Sequence, residues 1–95
     1  MKKVAVVIKD PDQQYEGLRL SLGALLDAVE IRMFVLNHEI ADMDEAYRDN
    51  MEFLDEMEGE RFSNNTVNVE TYDFKHATVK QTAEMLKSAD IVIPF

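Results

Sequence analysis

The sequence predicts an α/β fold, a three-layer sandwich with helices on both faces of a mainly parallel, four-stranded sheet and the element order βαβαβαβ. Three observations carry this expectation. Val4-Ala5-Val6-Val7-Ile8 is a short, unbroken apolar run rich in β-branched residues, the pattern of a strand covered on both faces. Tyr15, Leu18, Leu22, Leu25, Leu26 and Val29 recur at spacings of three, four and one, which places them on one helical stripe. A second apolar run, Ile31 to Leu36, completes a strand–helix–strand unit, whose crossover is right-handed and whose strands are parallel.

The remaining elements follow in order. Asp10-Pro11-Asp12-Gln13 reads as the start of the first helix, with Asp10 as cap, Pro11 at the first helical position and Gln13 three residues after the cap. Leu20 falls off the apolar stripe, and Gly23 and Ala24 permit close approach, so this helix or a sheet edge is expected to build an oligomer. Residues 42–60 hold nine acids and one base, Arg48, so they carry eight of the nine negative charges of the whole chain. Met43, Tyr47, Met51, Leu54 and Met57 keep helical spacing between those acids, which predicts an amphipathic helix ended by Gly59. Its outer face is either a solvated surface or a docking face for a basic partner. Ser63-Asn64-Asn65 is turn chemistry, and Val67-Asn68-Val69-Glu70-Thr71 alternates at period two, as a third strand does. Thr78-Val79-Lys80-Gln81 has the form of a capping box before the stripe Val79, Ala83, Leu86 and Ala89, and Ile91-Val92-Ile93 is the last strand.

Composition narrows the functions. The 95 residues fit one domain, 1–95, with 46% apolar and 31% charged residues, a globular balance. With no cysteine, the chain has no thiolate nucleophile, no disulfide and no cysteine-bound zinc, and a reducing, cytoplasmic address is expected. The net charge of −9 disfavours nucleic acid and anionic membranes as partners. The apolar run after Met1-Lys-Lys is five residues, short of the roughly 7–15 of a signal peptide, and no stretch nears the roughly 20 of a membrane helix.

Four segments carry a family resemblance: Met1-Lys-Lys-Val-Ala-Val-Val-Ile8, Glu16-Gly-Leu-Arg-Leu-Ser-Leu-Gly-Ala-Leu25, Ile31-Arg-Met-Phe-Val-Leu36 and Ala89-Asp-Ile-Val-Ile-Pro-Phe95. Together they resemble the DsrE/DsrF-like family of small sulfur-relay proteins, over residues 1–40 and 83–95. The resemblance implies a flavodoxin-like layer fold and assembly into homo-trimers or hexamers. Relay members carry persulfide on a cysteine near the end of a middle strand; this chain has none, so the implied role is a non-catalytic one: binding a partner protein or small ligand in a sulfur or redox system.

Open parallel sheets bind ligands beyond the carboxyl ends of their strands. That rule selects Asp10 after the first strand, Asn37 and His38 after the second, and Tyr72, Asp73 and His76 after the third, with Phe74 adding an aromatic wall. Read functionally, these residues form a polar ligand pocket; read structurally, they are loop residues, with Asp10 a helix cap. His38 and His76 with Asp73 or Asp10 would give two imidazoles and a carboxylate, a metal or acid–base set that supports an alternative reading as an enzyme of unknown reaction. A phosphoacceptor like that of a receiver domain is disfavoured, because a fifth strand and its lysine are missing from the expected elements. No cofactor is expected.

Overall fold

The computed structural model describes residues 2–27, 29–40 and 43–95. Its first strand, β1 (Lys3–Ile8), is buried from Val4 to Ile8, since an uninterrupted apolar run leaves no face for water. The Asp10 side chain accepts from the Asp12 amide and caps a 3-10 turn, Pro11–Gln13, that leads into α1 (Gln14–Leu25). Leu18 and Leu25 face the sheet, with Gly17 and Ser21 buried between them. Leu26 lies past the helix end and is exposed, and Tyr15 is more than a third exposed, so neither sits fully on the buried stripe that the spacing assigns them. β2 (Glu30–Val35) runs parallel beside β1. α2 (Glu45–Glu56), capped by Asp44, buries Tyr47, Met51 and Leu54 and leaves its carboxylates exposed; Met57 is exposed as well, and Asp42 lies outside the described residues.

From there the chain departs from expectation. Glu60–Ser63 is a strand, β3, where the sequence indicates a helix end and a turn. Only Phe62 of its four residues is a hydrophobe, so apolar patterning does not reveal it. It is held by the ladder to β2, by the stacked rings of Phe34 and Phe62 at 5.2 Å, and by the burial of Arg61. Val67 to Thr71 is not a strand but lies within α3 (Thr66–Tyr72), capped by the Asn65 side chain at the Asn68 amide. Asn68 is the residue that faces the interior and Val67 is exposed, the reverse of what a strand would need. With β3 already formed, this segment is the crossover to β4 (Lys75–His76), a two-residue strand beside β3. α4 (Val79–Leu86) begins at the Thr78–Gln81 capping box, as the sequence indicates, and β5 (Ile91–Pro94) pairs with β1.

The sheet therefore has five strands, all parallel, in the order β4-β3-β2-β1-β5, instead of the expected four. This is not the flavodoxin-like order 2-1-3-4-5 either: successive short crossovers lay β2, β3 and β4 side by side in one direction, and only the last reverses to reach the far side of β1. Right-handed crossovers moving in one direction put α1, α2 and α3 on one face, so the reversal at α4 puts that helix on the other. The first face buries Val4, Val6, Ile31 and Met33 under Leu18, Tyr47 and Leu54, whereas the second has only α4, with Met85 and Leu86 over Ala5, Phe34 and Phe62. The three layers are present, and one is thin.

Arg61 accounts for much of the arrangement around β3. Its side chain is 8% exposed; Nε and Nη2 both donate to the Asp55 carboxylate at 2.9 Å, Nη1 donates to the Tyr72 carbonyl at 2.8 Å, and the guanidinium lies 4.8 Å from the Phe74 ring centre. Nearby, Glu60 accepts from Lys75 and Arg32, and the Lys75 hydrogen bond chiefly holds its carboxyl below the ordinary carboxylate range.

Two outcomes follow from this packing. α1 crosses β1 at Gly17, where a Cβ would collide with Cδ1 and Cγ1 of the fully buried Ile8. Gly17→Ala is expected to lower the urea midpoint, because overpacking of about 1–3 kcal/mol outweighs the helix-propensity gain of at most ~1 kcal/mol; a raised midpoint contradicts this close approach. Burial of the Tyr47 hydroxyl pushes its pKa well above the ordinary tyrosine value, against a weaker opposing pull from Arg61. A raised folded-state pKa gives stability that is fully present below the unfolded value near 10 and is lost as pH rises beyond it. Stability measured by urea unfolding should fall above about pH 10, and less steeply in Tyr47→Phe, which removes only a 3.4 Å hydrogen bond to the Gln14 carbonyl.

Candidate functional site

The carboxyl ends of the strands form one edge, as parallel pairing demands. It holds Asp10 after β1, Asn37 and His38 after β2, and His76 at the end of β4, while β3 contributes Ser63, Asn64 and Asn65. Tyr72 and Asp73 are not there. α3 starts at the carboxyl edge and runs back, so both lie at the opposite, amino-terminal edge, where Asp73 takes a left-handed conformation (φ 60°) at the helix end and Arg48 lies 5.7 Å from the Tyr72 ring centre. Phe74 is buried under Arg61 and forms no aromatic wall. Placing these three residues beyond a strand followed from reading Val67 to Thr71 as one.

The residues that do gather at the edge are engaged with one another. Asn37, left-handed at φ 66°, pairs reciprocally with the facing loop: its N–H donates to Asn64 Oδ1 at 2.8 Å, and Asn64 Nδ2 donates back to Asn37 Oδ1 at 2.9 Å. Asn68, fully buried, accepts from the Ile40 amide and donates to the His38 carbonyl and to Ser63 Oγ, so every polar atom of its side chain is used. Ser63 Oγ donates to the Val35 carbonyl and accepts from the Asn65 amide. His38 Nδ1 donates to the Leu36 carbonyl at 3.0 Å, and Nε2 is buried and without a hydrogen-bond partner among the described residues. His76 is exposed, across the ladder from Ser63.

The strand order reverses between β1 and β5, and that is where an open sheet of this kind has its crevice. Here the chain fills the position itself. Pro94, opposite Val7, has no N–H to offer on the outer side of the strand; the Phe95 amide continues the ladder to the Val7 carbonyl at 2.7 Å, and the Phe95 carbonyl accepts from the amides of Lys9 and Asp10 at 3.0 and 3.4 Å. Those two amides would otherwise be the ready anion donors of the β1–α1 turn. Asp10 is occupied as a cap.

Among the described residues no group of three or more His, Asp or Glu side chains could hold a metal ion, Asp73 with the two histidines included. The receiver comparison also changes footing: the fifth strand exists, but the order differs from the receiver's 2-1-3-4-5 and β5 still lacks a lysine. Ser63, Asn64 and Asn68 are the edge residues that sequence reasoning missed as a group, and the available signal was the Asn65–Asn68 cap, which also marks the start of α3. No protein-family model matches the chain, and no curated protein matches it. No helix among the described residues is long and apolar enough to cross a membrane.

Asn68→Ala is expected to cost about 1–3 kcal/mol in chemical denaturation, because it leaves the Ile40 amide unpaired inside the protein, whereas His76→Ala should change stability by no more than about 0.5 kcal/mol.

Proposed function

We propose that the chain is a non-catalytic, DsrE/DsrF-like α/β protein that serves a sulfur or redox system by binding a partner protein at the carboxyl edge of its sheet. The observation that carries this reading is the closure of the β1–β5 crevice by the Phe95 carbonyl, together with the reciprocal Asn37–Asn64 pair. Where an α/β sheet ordinarily opens a ligand cleft, this edge offers a preset polar surface with its amides already paired, and such a surface suits a macromolecular contact better than a small anion. The complete lack of cysteine removes the thiolate that persulfide transfer uses.

A second reading, an enzyme with a metal or acid–base site, is favoured by one observation, the buried Nε2 of His38, which has no hydrogen-bond partner among the described residues. Two measurements separate the readings. Incubation with a cysteine desulfurase and labelled cysteine is expected to leave no covalent label on the repurified chain, and calorimetric titration with zinc and with iron(II) is expected to show no saturable heat. Stable label overturns the non-catalytic reading, and stoichiometric metal binding that His38→Ala abolishes replaces it with the enzyme.

A further inference from the structure

α1 and α2 lie side by side on the better-covered face, and large apolar side chains stand exposed along the seam between them. Tyr15, Leu22 and Leu26 follow at intervals of seven and four residues and so share one flank of α1. The Tyr15 ring stands 6.1 Å from that of Tyr47, so this flank is the one turned toward α2. On α2, Arg48 and Asp55 point toward α3 and β3, at the Tyr72 ring and Arg61. Phe53 and Met57 stand roughly 140–180° around the helix from those two, on the flank facing α1. Met57 lines a hollow of about 440 Å³ with Leu25 and Val29 where the seam ends, which fixes that orientation.

Leu26 is 73% exposed and Phe53 44%, with Met57 and Tyr15 each more than a third exposed. A single exposed hydrophobe needs no explanation, but four along one groove mark an interaction surface. Two helices that run in the same direction leave between them a groove of helical width, with no free strand edge for an extended peptide. The border of this groove is acidic. Asp49 and Glu56 stand one turn before and after Phe53, with Glu52 between them in the chain, and none of the three has an ion-pair partner among the described residues. On α1 the one base, Arg19, lies 3.9 Å from Glu16 and adds no net charge. The hollow adds Glu30 and Glu58, while its Arg32 is held by Glu60.

We propose that the α1–α2 seam docks a basic, amphipathic helix of a partner protein. Apolar residues of that helix, at intervals of three and four, cover Leu26 and Phe53 as anchors, and the flexible Met57 adapts to the end of the row beside its hollow. Lysines or arginines flanking the row meet Asp49, Glu52 and Glu56. A second copy of this chain is unsuited to the place, because its net charge of −9 sets acids against acids. The acidic face of α2 is thereby more than a solvated surface: its charge steers the partner, and attraction of this kind weakens as salt rises. The seam is a different surface from the carboxyl edge, and this inference is independent of what that edge binds.

The probe is a synthetic peptide of about 18 residues, five helical turns, with leucine and lysine at helical spacing. Titrated into the full chain, it should give saturable heat, and NMR shifts centred on Tyr15, Leu26, Phe53 and Met57. A scrambled peptide of the same composition keeps the charge and loses the apolar row, so it should bind at least about tenfold more weakly. Phe53→Ser, at an exposed position, should leave the circular dichroism unchanged and weaken the ordered peptide about tenfold. If that variant fails to fold, Leu26→Ser, beyond the end of α1, gives the same reading. Asp49→Asn with Glu56→Gln should flatten the salt dependence of the affinity. A scrambled peptide that binds as tightly as the ordered one reduces the attraction to charge alone and overturns the proposal. Shifts centred on the carboxyl edge or on β5, or an affinity that the folded serine variants leave unchanged, overturn it equally.

Discussion

Arg61 enters the interior from a strand with only one hydrophobe, and a buried guanidinium must bring its counter-charge and acceptors with it. The Asp55 carboxylate answers it in a bidentate pair from α2, the Tyr72 carbonyl answers it from the end of α3, and the Phe74 ring covers its face. Four consecutive elements are thereby fixed relative to one another. The Tyr72 contact also satisfies one of the carbonyls that a helix end leaves unpaired, so α3 stops where the arginine needs it to. Without this cluster neither the short β3 nor the two-residue β4 has enough apolar surface of its own to hold a place in the sheet.

The strand order then governs how surface is distributed. Three crossovers step outward from β1 and stack their helices on a single face, and one crossover returns to the other side with a helix of only eight residues. One face of the sheet is well covered, the other thinly, and β5 is left at the margin of both. Acidic charge is concentrated on α2, away from that margin. The molecule thus has a strongly acidic flank on one side of β1 and an apolar strand at the margin on the other.

At the carboxyl edge the governing fact is that asparagine side chains imitate backbone. Asn64, Asn65 and Asn68 pair with amides and carbonyls of neighbouring loops much as a further strand would, and the Phe95 carbonyl does the same between β1 and the turn after it. The loop amides of such an edge are already paired, which separates it from the glycine-lined phosphate cradles of many α/β folds. The buried Nε2 of His38 is the exception within this network.

Where apolar residues recur in long patterns, the sequence by itself determined the outcome. β1, β2, α1, the acidic α2, the capping box of α4 and the last strand all stand close to where Val4 to Ile8, Ile31 to Leu36, the stripes and the Thr78–Gln81 box put them. β1, β2, α1 and α2 bury hydrophobic faces whose periodicity is written in the chain, whereas α4 buries Thr82 and leaves Val79 and Ala83 of its expected stripe exposed. Tertiary structure alone decided the region from Glu60 to His76. There Arg61 is buried because partners distant in sequence neutralise it, and Asn68 because three polar groups from other loops satisfy it; Val67 to Thr71 is helical because the strand position beside β2 was already taken by β3. That reassignment moved Tyr72 and Asp73 to the opposite edge from Asp10, Asn37, His38 and His76, so a candidate site gathered by counting strands was divided by a single element. Polar burial depends on partners that meet only in the folded chain, and no local pattern records it.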